Sequence, residues 1–136
     1  MKNIKRVTLA GVACAAVAVP AIALAANPVK GGHYSDQRLT EFVNVSTDGK
    51  SAKLKDVFPG KCNHGIPVEA TKPADISGGK LTYSGPAKEL ATANGMATLT
   101  VSGKFVTSDS LKWTVHVKAG SCSAKHSETL TLMKKS

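Results

Sequence analysis

The sequence predicts an all-β fold, an antiparallel two-sheet β-sandwich of about seven to nine strands, with a small β-barrel as the alternative. Three observations carry this. Apolar and polar residues alternate along successive segments, most cleanly where Leu111, Trp113, Val115 and Val117 interleave with Lys112, Thr114, His116 and Lys118. Turn-forming Gly, Asn and Asp residues recur roughly every ten positions. The polar faces are rich in threonine, which suits a pleated, half-buried surface.

The chain opens with Lys2, Lys5 and Arg6, continues through an Ala- and Val-rich run from Val7 to Val19, and reaches Pro20 and Ala23-Leu24-Ala25. A basic head, a short apolar middle and alternate small residues read as an export signal, with cleavage expected after Ala25. The run approaches the ~20 residues of a membrane span. It is mostly alanine and Pro20 interrupts it, so no anchor is expected after cleavage. Cys14 is a poor lipidation site, because Gly11 stands where a leucine-like residue is needed. The expected organisation is a signal peptide over 1–25, a flexible segment over 26–32 and a single domain over 33–136. The expected location is secreted or extracytoplasmic.

Within the domain, a strand through Phe42, Val43 and Val45 meets Asp48-Gly49, a strong hairpin signal, and returns through Ala52 and Leu54. Phe58-Pro59-Gly60 turns the chain into Lys61-Cys62-Asn63-His64-Gly65. The run 66–71 lies between Pro67 and Pro73 and is at best an edge strand. Gly78-Gly79 leads into a strand at Leu81 and Tyr83. Pro86 followed by good helix formers and Asn94-Gly95 then predicts one short helix near 86–93. Ala97, Leu99, Val101 and Phe105 form the next strand, and Leu130 and Leu132 mark the last. Trp113 shares its face with Leu111 and Val115 and is assigned to the core. It precedes Cys122 and does not follow Cys62, and Gly120 stands where a tyrosine corner would be, so the immunoglobulin pattern does not apply.

Removal of 25 residues from 136 leaves 111, enough for one small domain. Cys62 and Cys122 then remain, an even pair that an oxidising compartment would join. Such a bond closes a loop of about 60 residues and contributes roughly 4 kcal/mol in the chain-entropy model. With Lys2, Lys5 and Arg6 gone from 18 cations, the domain keeps 15 against 9 acids, a net charge of +6. Arg38 is its one arginine, and the lysines are spread singly. Nucleic-acid surfaces cluster arginine with aromatics, so no nucleic-acid partner is expected. Lysines scattered on strands read as guards against edge-to-edge pairing. An anionic envelope polymer or a secreted protein is compatible with the charge as a partner.

No nucleophile elbow, His-Glu-x-x-His or phosphate loop occurs. Ser77-Gly78-Gly79-Lys80 matches Ser-x-x-Lys only on paper, since two glycines entering a strand cannot bring the lysine back over the serine. The carboxylates are scattered and nominate no acid/base pair, so no catalytic residue and no cofactor are expected. Cys122, His126 and Met133 follow blue-copper ligand order, but a whole strand separates His126 from Met133. If Cys62 and Cys122 are joined, His64 and His126 come near one another, a weak surface metal site at most.

Gly32-His33-Tyr34-Ser35, the run Phe42-Val43-Asn44-Val45-Ser46-Thr47-Asp48-Gly49-Lys50, Gly79-Lys80-Leu81, and Leu99-Thr100-Val101-Ser102-Gly103-Lys104-Phe105 ahead of Gly120-Ser121-Cys122 resemble a family of small exported proteins common in actinobacterial genomes. The resemblance spans nearly all the mature chain. It implies a signal peptide, a β-sandwich and one disulfide, and carries no activity or ligand. The functional expectation is therefore an exported, non-enzymatic binding or envelope-associated module with function on its loops. Phe58, Lys61, Asn63 and His64 form the candidate binding loop. Alternatives are a secreted inhibitor of an extracellular hydrolase and a weak surface metal-binding protein.

Overall fold

The computed structural model describes residues 24–55, 57, 67–90 and 95–135, and among these there is no helix. The strands are β1 (Gly32–Ser35), β2 (Phe42–Val45), β3 (Ser51–Lys55), β4 (Val68–Ala70), β5 (Ala74–Ser77), β6 (Lys80–Glu89), β7 (Met96–Thr107), β8 (Ser110–Ala119) and β9 (Cys122–Lys135). All pairings are antiparallel, β1 pairs with β9, and β6 pairs with both β5 and β7. Eight strands thus close into a barrel, and β4 is the extra one, on the far half of β6.

Closure overturns the two-sheet sandwich and fits the alternative, a small β-barrel. Alternation cannot separate the two, because both bury one face and expose the other. The deciding contact is long-range: Tyr34 of β1 lies opposite Leu132 of β9. The helix near 86–93 is also corrected. Residues 86–89 continue β6, and 91–94 lie outside the described residues. Ala87 keeps the inward parity of Leu81 and Tyr83 and is fully buried, so sheet burial overrides helix propensity. Pro86 is tolerated because its carbonyl faces the gap between β4 and β5, accepting from the Thr71 amide at 3.2 Å. A strand residue's N–H points to the same side as its carbonyl, so the missing donor costs no ladder bond.

The hairpins follow the turn chemistry of the sequence. Asp48 accepts from the Ser46 hydroxyl and the Lys50 amide at 2.6 and 2.9 Å, and Gly49 has φ 74°. Gly78 and Gly79, at φ 59° and 75°, make the two-residue β5–β6 turn that needs two left-handed residues. The segment 26–32 makes backbone hydrogen bonds, from Ala26 to Phe105 and from Gly31 to Ser46.

One core fills the barrel, with Tyr34, Phe105, Trp113 and the inward leucines buried. Tyr34 and Phe105 meet edge to face at 5.2 Å. The Tyr34 hydroxyl donates to the Ser108 carbonyl at 2.5 Å and accepts from the Val29 amide at 2.9 Å.

Candidate functional site

Ser35 lies opposite Phe42, so residues 36–41 form a loop between β1 and β2. Asp36 organises it. Its Oδ1 accepts from the Thr40 and Glu41 amides at 2.7 and 2.9 Å, and its Oδ2 from the Thr40 hydroxyl at 2.6 Å. Aspartate does this readily because its short carboxylate substitutes for a backbone acceptor in a tight turn. Leu39 takes φ 58°, uncommon for a branched side chain, and its amide closes back on the Asp36 carbonyl at 3.1 Å. The result drives Glu41 inward, where it is 1% exposed.

The facing wall is β9. Ala124, His126, Glu128 and Leu130 lie opposite Val117, Val115, Trp113 and Leu111, the buried residues of β8. Two ionisable groups therefore occupy core-facing positions. β1 reaches β9 only from Thr131 onward. Over the first half of β9, the 36–41 loop reaches across in place of a paired strand.

Across that span, Glu41 Oε2 and His126 Nε2 are 2.6 Å apart, and His126 Nε2 lies 3.6 Å from Glu128 Oε2. Arg38, largely exposed, approaches Asp36 at 3.5 Å and Glu128 at 3.8 Å. Glu41, His126 and Glu128 each offer a ligand atom, and these atoms lie within 4.8 Å of one another. Glu41 Oε1, His126 Nδ1 and Trp113 Nε1 are buried without a hydrogen-bond partner. Buried polar atoms are seldom left so.

The charges are strongly coupled. Burial first, then the hydrogen bond to Glu41 and the charges of Glu41 and Asp36, push the Glu128 carboxyl up to about 7. Two carboxylates can share a hydrogen bond only when one carries a proton. An ionised Glu128 therefore leaves Glu41 Oε1 without a donor. The Glu41 hydrogen bond raises His126, against the opposing effect of burial. For Asp36, burial works upward, but the Thr40 hydroxyl, the two amides and Arg38 outweigh it and hold the carboxyl low.

A second feature covers the outside of β6–β9. Lys80, Lys104 and Lys112 lie directly opposite one another on three adjacent strands. Below them runs a row of hydroxyls, Thr82, Ser102, Thr114 and Ser127, with Thr114 and Ser127 hydrogen-bonded at 2.7 Å. Lys88, Lys118 and Lys125 extend the basic face, and all three are exposed. Among the described residues, no carboxylate occupies an outward position on these four strands; β5 carries Asp75, opposite Thr82. For Lys104, Lys112 and Lys118 the edge-guard reading does not apply, because β7 and β8 are paired on both sides. A lipid-facing barrel needs an apolar outer band, which these lysine and hydroxyl rows are not.

Of the sequence-stated candidates, Phe58, Lys61, Cys62, Asn63 and His64 lie outside the described residues. Cys122 starts β9, partly buried against the core. His126, expected at the surface beside His64, lies on β9, facing inward and 23% exposed. Met133, the other end of the rejected copper pattern, sits on the opposite, exposed face of that strand. Tyr34 and Tyr83 are buried and present no stacking face for a sugar. His33 pairs with Asn44. Sequence reasoning missed Glu41 and Glu128. Parity was the available signal, since stepping back by twos from Leu132 and Leu130 places Glu128 and His126 on the apolar face.

Compared with known proteins, the chain matches no family model, no curated relative and no solved structure.

Proposed function

We propose that this is an exported, non-enzymatic barrel that binds an anionic polymer of the cell envelope on the outer face of β6–β9. The observation that carries the reading is the row of Lys80, Lys104 and Lys112 across three adjacent strands, beside the exposed Lys88, Lys118 and Lys125. A polyanion laid across the strands meets this basic face, and the neighbouring hydroxyls supply hydrogen bonds to its backbone. A neutral sugar needs stacking aromatics, and of the five described aromatics Tyr34, Tyr83, Phe105 and Trp113 are buried in the core, leaving Phe42, half-buried on β2.

Export follows from the leader, and with it a Cys62–Cys122 disulfide. Val57 and Val68, which flank Cys62 in the chain, are bridged to each other. Intact mass of the secreted protein before and after reduction and alkylation tests both. An unprocessed leader or two free thiols would refute this part.

Binding is tested with immobilised inorganic polyphosphate at several salt concentrations. The affinity should fall steeply with salt, and the triple variant Lys80→Ser, Lys104→Ser, Lys112→Ser should flatten the log–log slope by about 2. Substituting Lys50, Lys53 and Lys55, on another part of the barrel, should change it less. Equal retention of the two triple variants, or equal retention on uncharged dextran, defeats the reading.

A further inference from the structure

We propose that Glu41, His126 and Glu128 form a binding site for a divalent transition-metal cation of the Zn²⁺ class. Their ligand atoms come from two sides of the barrel, one from the 36–41 loop and two from alternate residues of β9, yet lie within 4.8 Å of one another. The mutual distances of 2.6 and 3.6 Å bracket the separation of ligands on a cation bonded at about 2.0–2.2 Å. Small side-chain rotations suffice to seat it.

The second observation is Glu41 itself. It is 1% exposed, and once Glu128 is ionised its Oε1 has no hydrogen-bond partner. A buried carboxylate oxygen left so is expensive, and a cation between the two glutamates satisfies it directly. Two carboxylates match a divalent charge. The imidazole selects against Mg²⁺ and Ca²⁺, which prefer all-oxygen shells. His126 and Glu128 are 23% and 20% exposed, on the side where β9 lacks its second strand partner, which provides the entry path. Of the other charged groups nearby, Arg38 lies 3.5 Å from Asp36 and 3.8 Å from Glu128 Oε2, and being largely exposed it can keep Asp36 and yield Glu128 to the cation.

On binding, the metal takes the place of the shared protons. Neutral imidazole and ionised carboxylates become ligands, and the displaced protons pass to solvent. Three protein ligands leave a fourth position for water, so the site is exchangeable, and loading ties the 36–41 loop to β9.

This inference is independent of the polyanion reading and is tested apart from it. The full secreted protein is stripped with chelator, dialysed against Zn²⁺ or Co²⁺, and its bound metal measured by elemental analysis. Visible absorption of the Co²⁺ form reports the ligand set. The expected result is stoichiometric metal with the d–d bands of a mixed nitrogen/oxygen site, lost in Glu128→Gln and in His126→Gln and retained in His64→Ala. Glu128 is partly exposed, so Glu128→Gln remains decisive if a variant at the buried Glu41 fails to fold. Circular dichroism confirms that each variant is folded. The proposal is overturned if the wild type retains no metal, or if Glu128→Gln and His126→Gln bind as the wild type does.

Discussion

Because Glu128 keeps its proton up to about pH 7 in the folded barrel, against 4.5 for an ordinary glutamate, metal-free stability should fall as pH rises from 5 to 8. Below 4.5 the group is protonated in both states and contributes no slope. Between 4.5 and 7 the unfolded chain has released a proton that the folded chain retains, so raising the pH favours unfolding. The difference is worth on the order of 3 kcal/mol at 1.36 kcal/mol per unit. That is a large share of the stability typical of a small domain, about 5–15 kcal/mol. His126 adds in the same direction. Its folded pKa is raised, so its stabilising pairing with Glu41 is present below 6.5 and lost as pH climbs through the folded value. Asp36 works at the other end, its depressed pKa contributing stability above 3.8 that disappears as pH drops further. Stability should therefore peak near pH 4–5. Urea unfolding in the presence of chelator, at closely spaced pH values, measures this directly. Glu128→Gln, which cannot ionise, should match the wild type at pH 5 and exceed it at pH 8. A wild-type profile that is flat or rising between those values, or a variant with unchanged slope, refutes the reasoning.

Other perturbations test the frame that holds this cluster. Tyr34→Phe removes a buried hydroxyl that donates to Ser108 and accepts from Val29, and should lower unfolding free energy by about 1–3 kcal/mol. Gly78→Ala meets no atom within 4 Å and should cost about 1–2 kcal/mol for its left-handed backbone alone. Gly79→Ala should cost clearly more, since its new Cβ would lie 2.3 Å from the Ala26 carbonyl oxygen. Equal urea midpoints for the two alanine variants would show that the Ala26 contact contributes nothing. Reduction of the proposed Cys62–Cys122 bond should lower stability by roughly 4 kcal/mol, read as a shift in the same midpoint.

Strand positions, the Asp48-Gly49 and Gly78-Gly79 hairpins and the burial of Trp113 were legible because each rests on a local rule. Side chains alternate with period two, and a two-residue turn needs residues that tolerate positive φ. The residues after Pro86 misled because helix propensity is weak, and the buried place of Ala87 against β7 outweighs it. Barrel against sandwich could not be read locally at all. It depends on β1 finding β9, and the pattern of buried residues is the same either way.

The acid–histidine cluster divides in the same manner. The inward parity of His126 and Glu128 is present in the spacing of the last strand. Glu41 is not foreseeable, since it reaches His126 across 85 residues of chain. Sequence alone thus determined which side of each strand meets water, because that is settled by neighbours two positions apart. Tertiary structure alone decided which charges share a space, because closing the barrel brings distant segments together and excludes the water that would have kept those charges independent.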